Sequence, residues 1–366
     1  MNNYLLEDFF YDKDFNIIED VAIAGDCVQQ LLAIIMKKKV NKNYNQYAVY
    51  MGDISFNISV DNGGYITRSA IKSNETLNAK NILQKNRIII RNDCEKAMKA
   101  ITQALNTEGY AILRTVDAYL PFSIYSNEKY NLDNFQENGH FIMIVAEDNN
   151  NYYFIDQLTE VKLESFKHVN LRKDIGVCEK DIFKTPLSFY AKIITAEFNE
   201  ENILNAGLTG SRIINESVDN FYNNISTRIT EDTKIKIIGG KVALEYLLNA
   251  CKEGKFILNK KVYNSTIKGY CDFDIGHELM NGATGLKNRR LVLKGFLQNK
   301  VLLDTEELIT SVNNSIEVWD RFKNHIIKKI LKKEYFFGGK DIDYIEKIVD
   351  AEKEMFKCMS FYKDLK

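Results

Sequence analysis

Gly139-His140-Phe141-Ile142-Met143-Ile144-Val145-Ala146-Glu147-Asp148-Asn149-Asn150-Asn151-Tyr152-Tyr153-Phe154-Ile155-Asp156 reads as a β-hairpin. Apolar, β-branched and aromatic residues fill two arms, Phe141–Glu147 and Tyr152–Asp156, and the Asp-Asn-Asn-Asn run between them is a strong turn signal. With Glu147 opposite Asn151, His140 and Asp156 point to the same face and lie diagonally near each other. A slip of one residue would put one of them on the other face.

Working outward, Tyr110–Asp117 supplies another strand. Before it, Asp93 to Asn106 has helical spacing, with Met98, Ile101, Ala104 and Leu105 on its apolar side and Gly109 just beyond its end. Tyr47–Met51 and Ile54–Ile58 read as short strands. Earlier still, Val28, Leu31, Leu32 and Ile35 trace a helix from Asp26 to about Lys38, ending in Lys37-Lys38-Lys39. Cys27 falls in its first turn, where free N–H groups and the helix dipole favour a thiolate.

Cys27, His140 and Asp156 together have the chemistry of a catalytic triad. A thiol is a weak nucleophile until an imidazole takes its proton. A carboxylate then fixes the imidazole tautomer and steadies its charge. The bland alternatives are a buried structural thiol, a polar strand-end histidine and a turn-initiating carboxylate. Of the four histidines, His168 lies in a charged, irregular stretch, and His277 and His325 fall in the second half of the chain. His140 is therefore the candidate base.

Beyond about Ala196 the pattern is read as helical. Ile214, Val218, Phe221 and Ile225 form one stripe, and Val242, Tyr246, Leu247 and Ala250 a second. Leu308, Val312, Ile316, Trp319, Phe322 and Ile326 trace a long helix behind the capping candidates Asp304 and Thr305. Ile345, Val349, Phe356 and Met359 mark the last helix. The expected architecture is α+β: a catalytic domain over residues 1–195, then a C-terminal α-helical bundle over 196–366.

Composition bounds the function. A chain of 366 residues with 45% hydrophobic content can bury a sizeable core. A formal net charge of −1 argues against a general nucleic-acid binder. Met1–Asp8 is acidic and lacks a signal-peptide apolar core, and no segment approaches the roughly 20 apolar residues of a membrane span. A cytoplasmic protein is expected, with no nucleic-acid or membrane partner. The six cysteines are scattered without a C-x-x-C pair, so free thiols and no metal site are expected.

Two partial motifs are discounted. Gly239-Gly240-Lys241-Val242 has the tail of a phosphate loop, but positions 235 and 242 are Ile and Val. His277-Glu278-Leu279-Met280-Asn281 begins like a zinc-protease motif and ends without its second histidine. With no ATP loop, amide synthesis would need a donor that is already activated, such as a thioester.

The order of Cys27, Gly109–Asp117, Gly139–Val145 and Tyr153–Asp156 resembles the papain-like, C39-peptidase-like fold. Within it, the chain is most similar to the acyltransferase domain of the butirosin-biosynthesis type, over roughly residues 15–190. The resemblance implies a papain-like cysteine-protease fold and a Cys27–His140–Asp156 triad. It implies acyl transfer from an acyl or peptidyl carrier protein to a small amine in natural-product biosynthesis. No cofactor is expected beyond a phosphopantetheine thioester on the donor. C39-type peptidases carry a Gln shortly before the Cys; residues 19–24 here contain none, so the Cys27 N–H is the expected oxyanion donor. The Asp26 carboxylate opposes thiolate formation unless it caps the helix.

The aromatics Tyr119, Phe122, Tyr125 and Tyr130 are candidates for an acyl groove. The lysines at 37–39 and at 328, 329, 332 and 333 are solvated helix ends or a steering patch for an acidic carrier. The cleft between the two domains is the expected substrate site. The same triad serves a cysteine peptidase or amidase with water as acceptor. A non-catalytic binding protein of the same fold is the third reading.

Overall fold

The computed structural model describes residues 28, 31–32, 34–36, 47–48, 51–52, 54–61, 63–69, 83–116, 119–120, 141–156, 176–224, 235–257, 259–264, 269–299 and 305–362. In chain order, β1 (Asn57–Asp61), β2 (Ile66–Ser69) and β3 (Leu83–Arg91) precede α1 (Cys94–Glu108). Next come β4 (Ala111–Thr115), β5 (Phe141–Glu147), β6 (Asn151–Ile155), β7 (Gly176–Glu179), α2 (Lys180–Phe189) and β8 (Tyr190–Phe198). The remainder holds α3 (Glu200–Leu204), α4 (Ala206–Tyr222), β9 (Ile235–Gly239), α5 (Gly240–Lys252), β10 (Asn259–Asn264) and β11 (Gly269–Asp274). It closes with α6 (Ile275–Asn299), α7 (Glu306–Leu331) and α8 (Ile342–Phe361). The chain is thus α+β, and it divides into two compact units.

The first unit comprises residues 1–42 and 83–199. Its centre is an antiparallel sheet of order β3-β8-β4-β5-β6-β7. One face carries Leu113, Ile142, Ile144, Tyr152, Phe154 and Ile193, which pack with the apolar sides of α1 and α2. The other face, with Ile112, Met143, Val145, Ile155 and Ile194, is buried as well. A sheet buried on both faces reads as continuous apolar strands, as β5 does. Helix α1 begins at Asp93, whose side chain accepts from Lys96 N at 2.9 Å, and ends at Gly109, at φ 80°. That is the expected helix, with its cap and its left-handed stop. Tyr110 Oη donates to Ala196 O and accepts from Ala196 N, fastening the start of β4 to β8.

Residues 28, 31–32 and 34–36 are helical, as their spacing predicts. Ile34 and Met36 are buried along with Leu31, Leu32 and Ile35, so burial extends past the expected stripe.

The second unit comprises residues 43–82 and 200–366. It holds the helices expected at Ile214, Val242, Leu308 and Ile345, as α4, α5, α7 and α8, and also α6. It is not purely helical, which corrects the sequence reading. Strand β1 pairs with β9 from Asn57↔Gly239 to Asp61↔Ile235, and β10 pairs with β11. Ile235–Gly239 is a short β-branched run whose partner lies far away in sequence, so local spacing does not reveal it.

Two expected strands also change. Tyr47 and Ala48 are helical, and residues 54–56 form no strand. The Tyr47 ring lies where a Cβ on Gly295 of α6 would stand, within 2.1 Å. The backbone of Ile54 is engaged by side chains: its N–H donates to Ser217 Oγ at 3.2 Å, and its carbonyl accepts from Arg290 Nη2 at 3.0 Å. Arg290 in turn meets Glu352 at 2.6 Å, both side chains with no exposure. Glu352 also accepts from Ser315 Oγ at 2.5 Å and Trp319 Nε1 at 2.8 Å. This network binds residues near 54 to α6, α7 and α8. Among the described residues, no helix is long and apolar enough to cross a membrane.

Candidate functional site

Of the three triad residues, Asp156 is described; Cys27 and His140 lie outside the described residues. Asp156 directly follows β6 and is only 7% exposed. A carboxylate is seldom buried unless polar groups are built around it.

The hairpin that carries Asp156 departs from the expected register at its turn and meets it further out. Glu147 pairs with Tyr152, not with Asn151, and Ala146 pairs with Tyr153. A bulge at Val145 then shifts the pairing by one residue, giving Ile144↔Phe154 and Met143↔Ile155. These last two pairs have the register that the sequence predicts, and Asp156 directly follows Ile155.

The turn itself is built by Asp148. Its Oδ1 accepts from Asn150 N at 2.8 Å and Asn151 N at 2.7 Å, and its Oδ2 accepts from Tyr153 Oη at 2.9 Å. Desolvation acts to raise this carboxyl, but the hydrogen bonds outweigh it and hold the pKa at about 2.

Beside the start of β5, three side chains line up across neighbouring strands. Phe141 pairs with Arg114 on β4, and Arg114 pairs with Lys192 on β8. The Arg114 guanidinium lies 5.5 Å from the Phe141 ring centre and the Lys192 ammonium 5.8 Å. Two cations opposite each other cost stability, and an aromatic ring within reach of both offsets part of that cost. Arg114 Nε is buried without a hydrogen-bond partner among the described residues. Sequence reasoning missed this row, because only the pairing of three strands assembles it; the alternation Leu113-Arg114-Thr115 was the available signal.

Cys94, Cys178, Cys251 and Cys358 are all shifted above the ordinary thiol value. Burial raises Cys94, and Lys184 only partly offsets this. Burial pushes Cys178 up to about 12 and Cys251 up to about 11, and it raises Cys358 as well. Cys94 starts α1 much as Cys27 is expected to start its own helix.

The other predicted features resolve as follows. Tyr119 stacks on Phe189 at 5.3 Å, while Phe122, Tyr125 and Tyr130 lie outside the described residues. Gly240 starts α5 with φ 65°, and its N–H donates to Phe56 O at 2.7 Å. Asn224 Oδ1 accepts from Val242 N at 3.0 Å, so this helix start is capped from within the protein. Lysines 37–39 are outside the described residues. Lys329 is not a solvated helix end: it is buried and holds Asp341 at 2.8 Å.

No protein-family model matches the chain, and no curated protein matches it.

Proposed function

We propose that this chain is a cysteine-dependent acyltransferase of papain-like fold that forms amides. The observation that carries the proposal is the buried Asp156, which directly follows the Met143↔Ile155 pair at the end of β6. A buried carboxylate at the end of a strand suits an orienting group for an imidazole. The raised pKa of Cys94, Cys178, Cys251 and Cys358 is consistent with Cys27 as the nucleophile.

In this reading His140 takes the Cys27 proton, and the thiolate attacks the carbonyl of a thioester donor. The donor thiol leaves with the proton that His140 returns, and an acyl-Cys27 thioester remains. An amine then attacks that carbonyl, His140 accepts a proton from it, and the amide leaves as the Cys27 thiol reforms. Asp156 holds the imidazole and steadies its charge through both halves. The whole chain also looks like the transglutaminase-like amide synthetase of closthioamide assembly, which suggests a carrier-bound acyl donor and a small amine acceptor.

The outcome depends on whether amine or water reaches acyl-Cys27 first. Incubation with an acyl thioester and a saturating diamine tests this by product analysis. Amide in excess of free acid supports transfer. Free acid in excess, with peptides cleaved as readily, assigns the chain to the peptidase or amidase class.

A further inference from the structure

Between α7 and α8 of the second unit lies a cavity of about 300 Å³ whose chemistry the acyl-transfer reading does not use. Arg321, Asn324, His325 and Lys328 line it from α7, and Tyr344 and Lys347 from α8. No carboxylate lines it. Of the nearby acids, Glu317 is held by Arg321, Asp320 by Lys287 and Lys323, and Asp341 by His325 and Lys329, while Asp343 and Asp350, a helical turn either side of Lys347, do not line the cavity. Lys328 and Lys347 have no carboxylate partner among the described residues.

The histidine is held in place. His325 Nε2 meets Asp341 Oδ1 at 2.6 Å, and its ring stacks on Tyr344 with centroids 4.2 Å apart and planes 11° apart. Asp341 is itself fixed by Lys329 Nζ at 2.8 Å and Gly338 N at 3.0 Å. Nδ1, on the other side of the ring, has no hydrogen-bond partner among the described residues. A lysine in the last turn of a helix can be explained by the helix dipole alone, and Lys328 is such a residue. That explanation does not cover Lys347, which comes from a different helix, and Arg321 is held on this face by its pair with Glu317 one turn earlier.

We propose that this cavity binds a phosphate group. A planar guanidinium, one edge of it on Glu317, and two ammonium groups without carboxylate partners match the oxygens of a phosphate, and the fixed imidazole adds a directed Nδ1–H donor when both its nitrogens carry protons. The volume exceeds what a bare phosphate fills, so a phosphomonoester with a small organic part is the ligand class that fits.

Calorimetric titration of the full chain with inorganic phosphate and, separately, with phenyl phosphate, at ionic strength matched with sodium chloride, tests the site. Saturable binding of either is expected. Binding of the ester alone assigns the cavity to organic phosphates, and binding of both admits the free ion. The variant Lys328→Ala/Lys347→Ala removes two exposed side chains, and its circular dichroism should match wild type. It should bind at least about tenfold more weakly, and the His325 ring resonances should shift with ligand in wild type and not in the variant. No saturable binding by wild type, or equal affinity in a folded variant, overturns the proposal.

Discussion

Met143 lies opposite Ile155 in the hairpin, in a register one residue displaced from the Glu147–Tyr152 pair nearer the turn. The bulge at Val145 makes the difference. It sets the register of the strand that leads into Asp156, so deleting Val145 should shift Asp156 along β5 while β5 still pairs with β6. If Asp156 orients His140, the deletion should abolish turnover even in a folded protein, as judged by far-ultraviolet circular dichroism.

Asp156→Asn should keep the fold and lower turnover, by less than His140→Ala, for which a loss of about 10²–10⁴-fold is expected. The rate of Cys27 alkylation by iodoacetamide across pH separates the two roles. His140→Ala should displace the profile toward that of an ordinary thiol. Identical profiles in wild type and His140→Ala would mean that no Cys–His pair operates.

Arg290 and Glu352 are fully buried, and each is the other's charge partner. Glu352→Ala leaves a buried guanidinium uncompensated and should cost about 3–5 kcal/mol in urea unfolding. Replacing both, as Arg290→Met/Glu352→Leu, should recover much of that loss. Because Arg290 also donates to Ile54 O, amide exchange near residue 54 should quicken in the Glu352 variant.

How much was legible in the sequence follows from which contacts are local. Helix α1 announces itself through Asp93, its apolar side and Gly109, all within one segment. The hairpin's arms and turn are equally local. The bulge at Val145 is not, since it reconciles the turn geometry imposed by Asp148 with the packing of the sheet. Strand β1 depends on β9, nearly two hundred residues later, and Ile54 is kept out of it by side chains from α4 and α6. The row of Arg114, Phe141 and Lys192 exists only once three strands are in register. Asp156 could be singled out from its place after an apolar arm; its burial could not.

Asp148 gives a pH test of the turn. Its folded pKa of about 2 lies below the ordinary aspartate value near ~3.9, so its hydrogen bonds stabilise the hairpin above that value. The contribution is lost as pH falls through the range from ~4 to ~2. Asp148→Asn should therefore lower the melting temperature at pH 6, and the gap from wild type should close near pH 2. A gap that stays constant across this range would contradict the assignment.

Gly240 combines φ 65° with a backbone carbonyl, that of Phe221, 2.3 Å from where a Cβ would stand. Gly240→Ala should destabilise the protein by on the order of 2 kcal/mol or more, measured by urea unfolding.

The central claim is a covalent acyl-Cys27 intermediate. Intact-mass analysis after exposure to an acyl thioester, without amine, tests it most directly. Wild type should gain the mass of one acyl group, mapped to Cys27 by peptide analysis and discharged when an amine is added. Cys27→Ala should gain none. An adduct that persists in Cys27→Ala, or one in wild type that an amine does not discharge, would contradict the account.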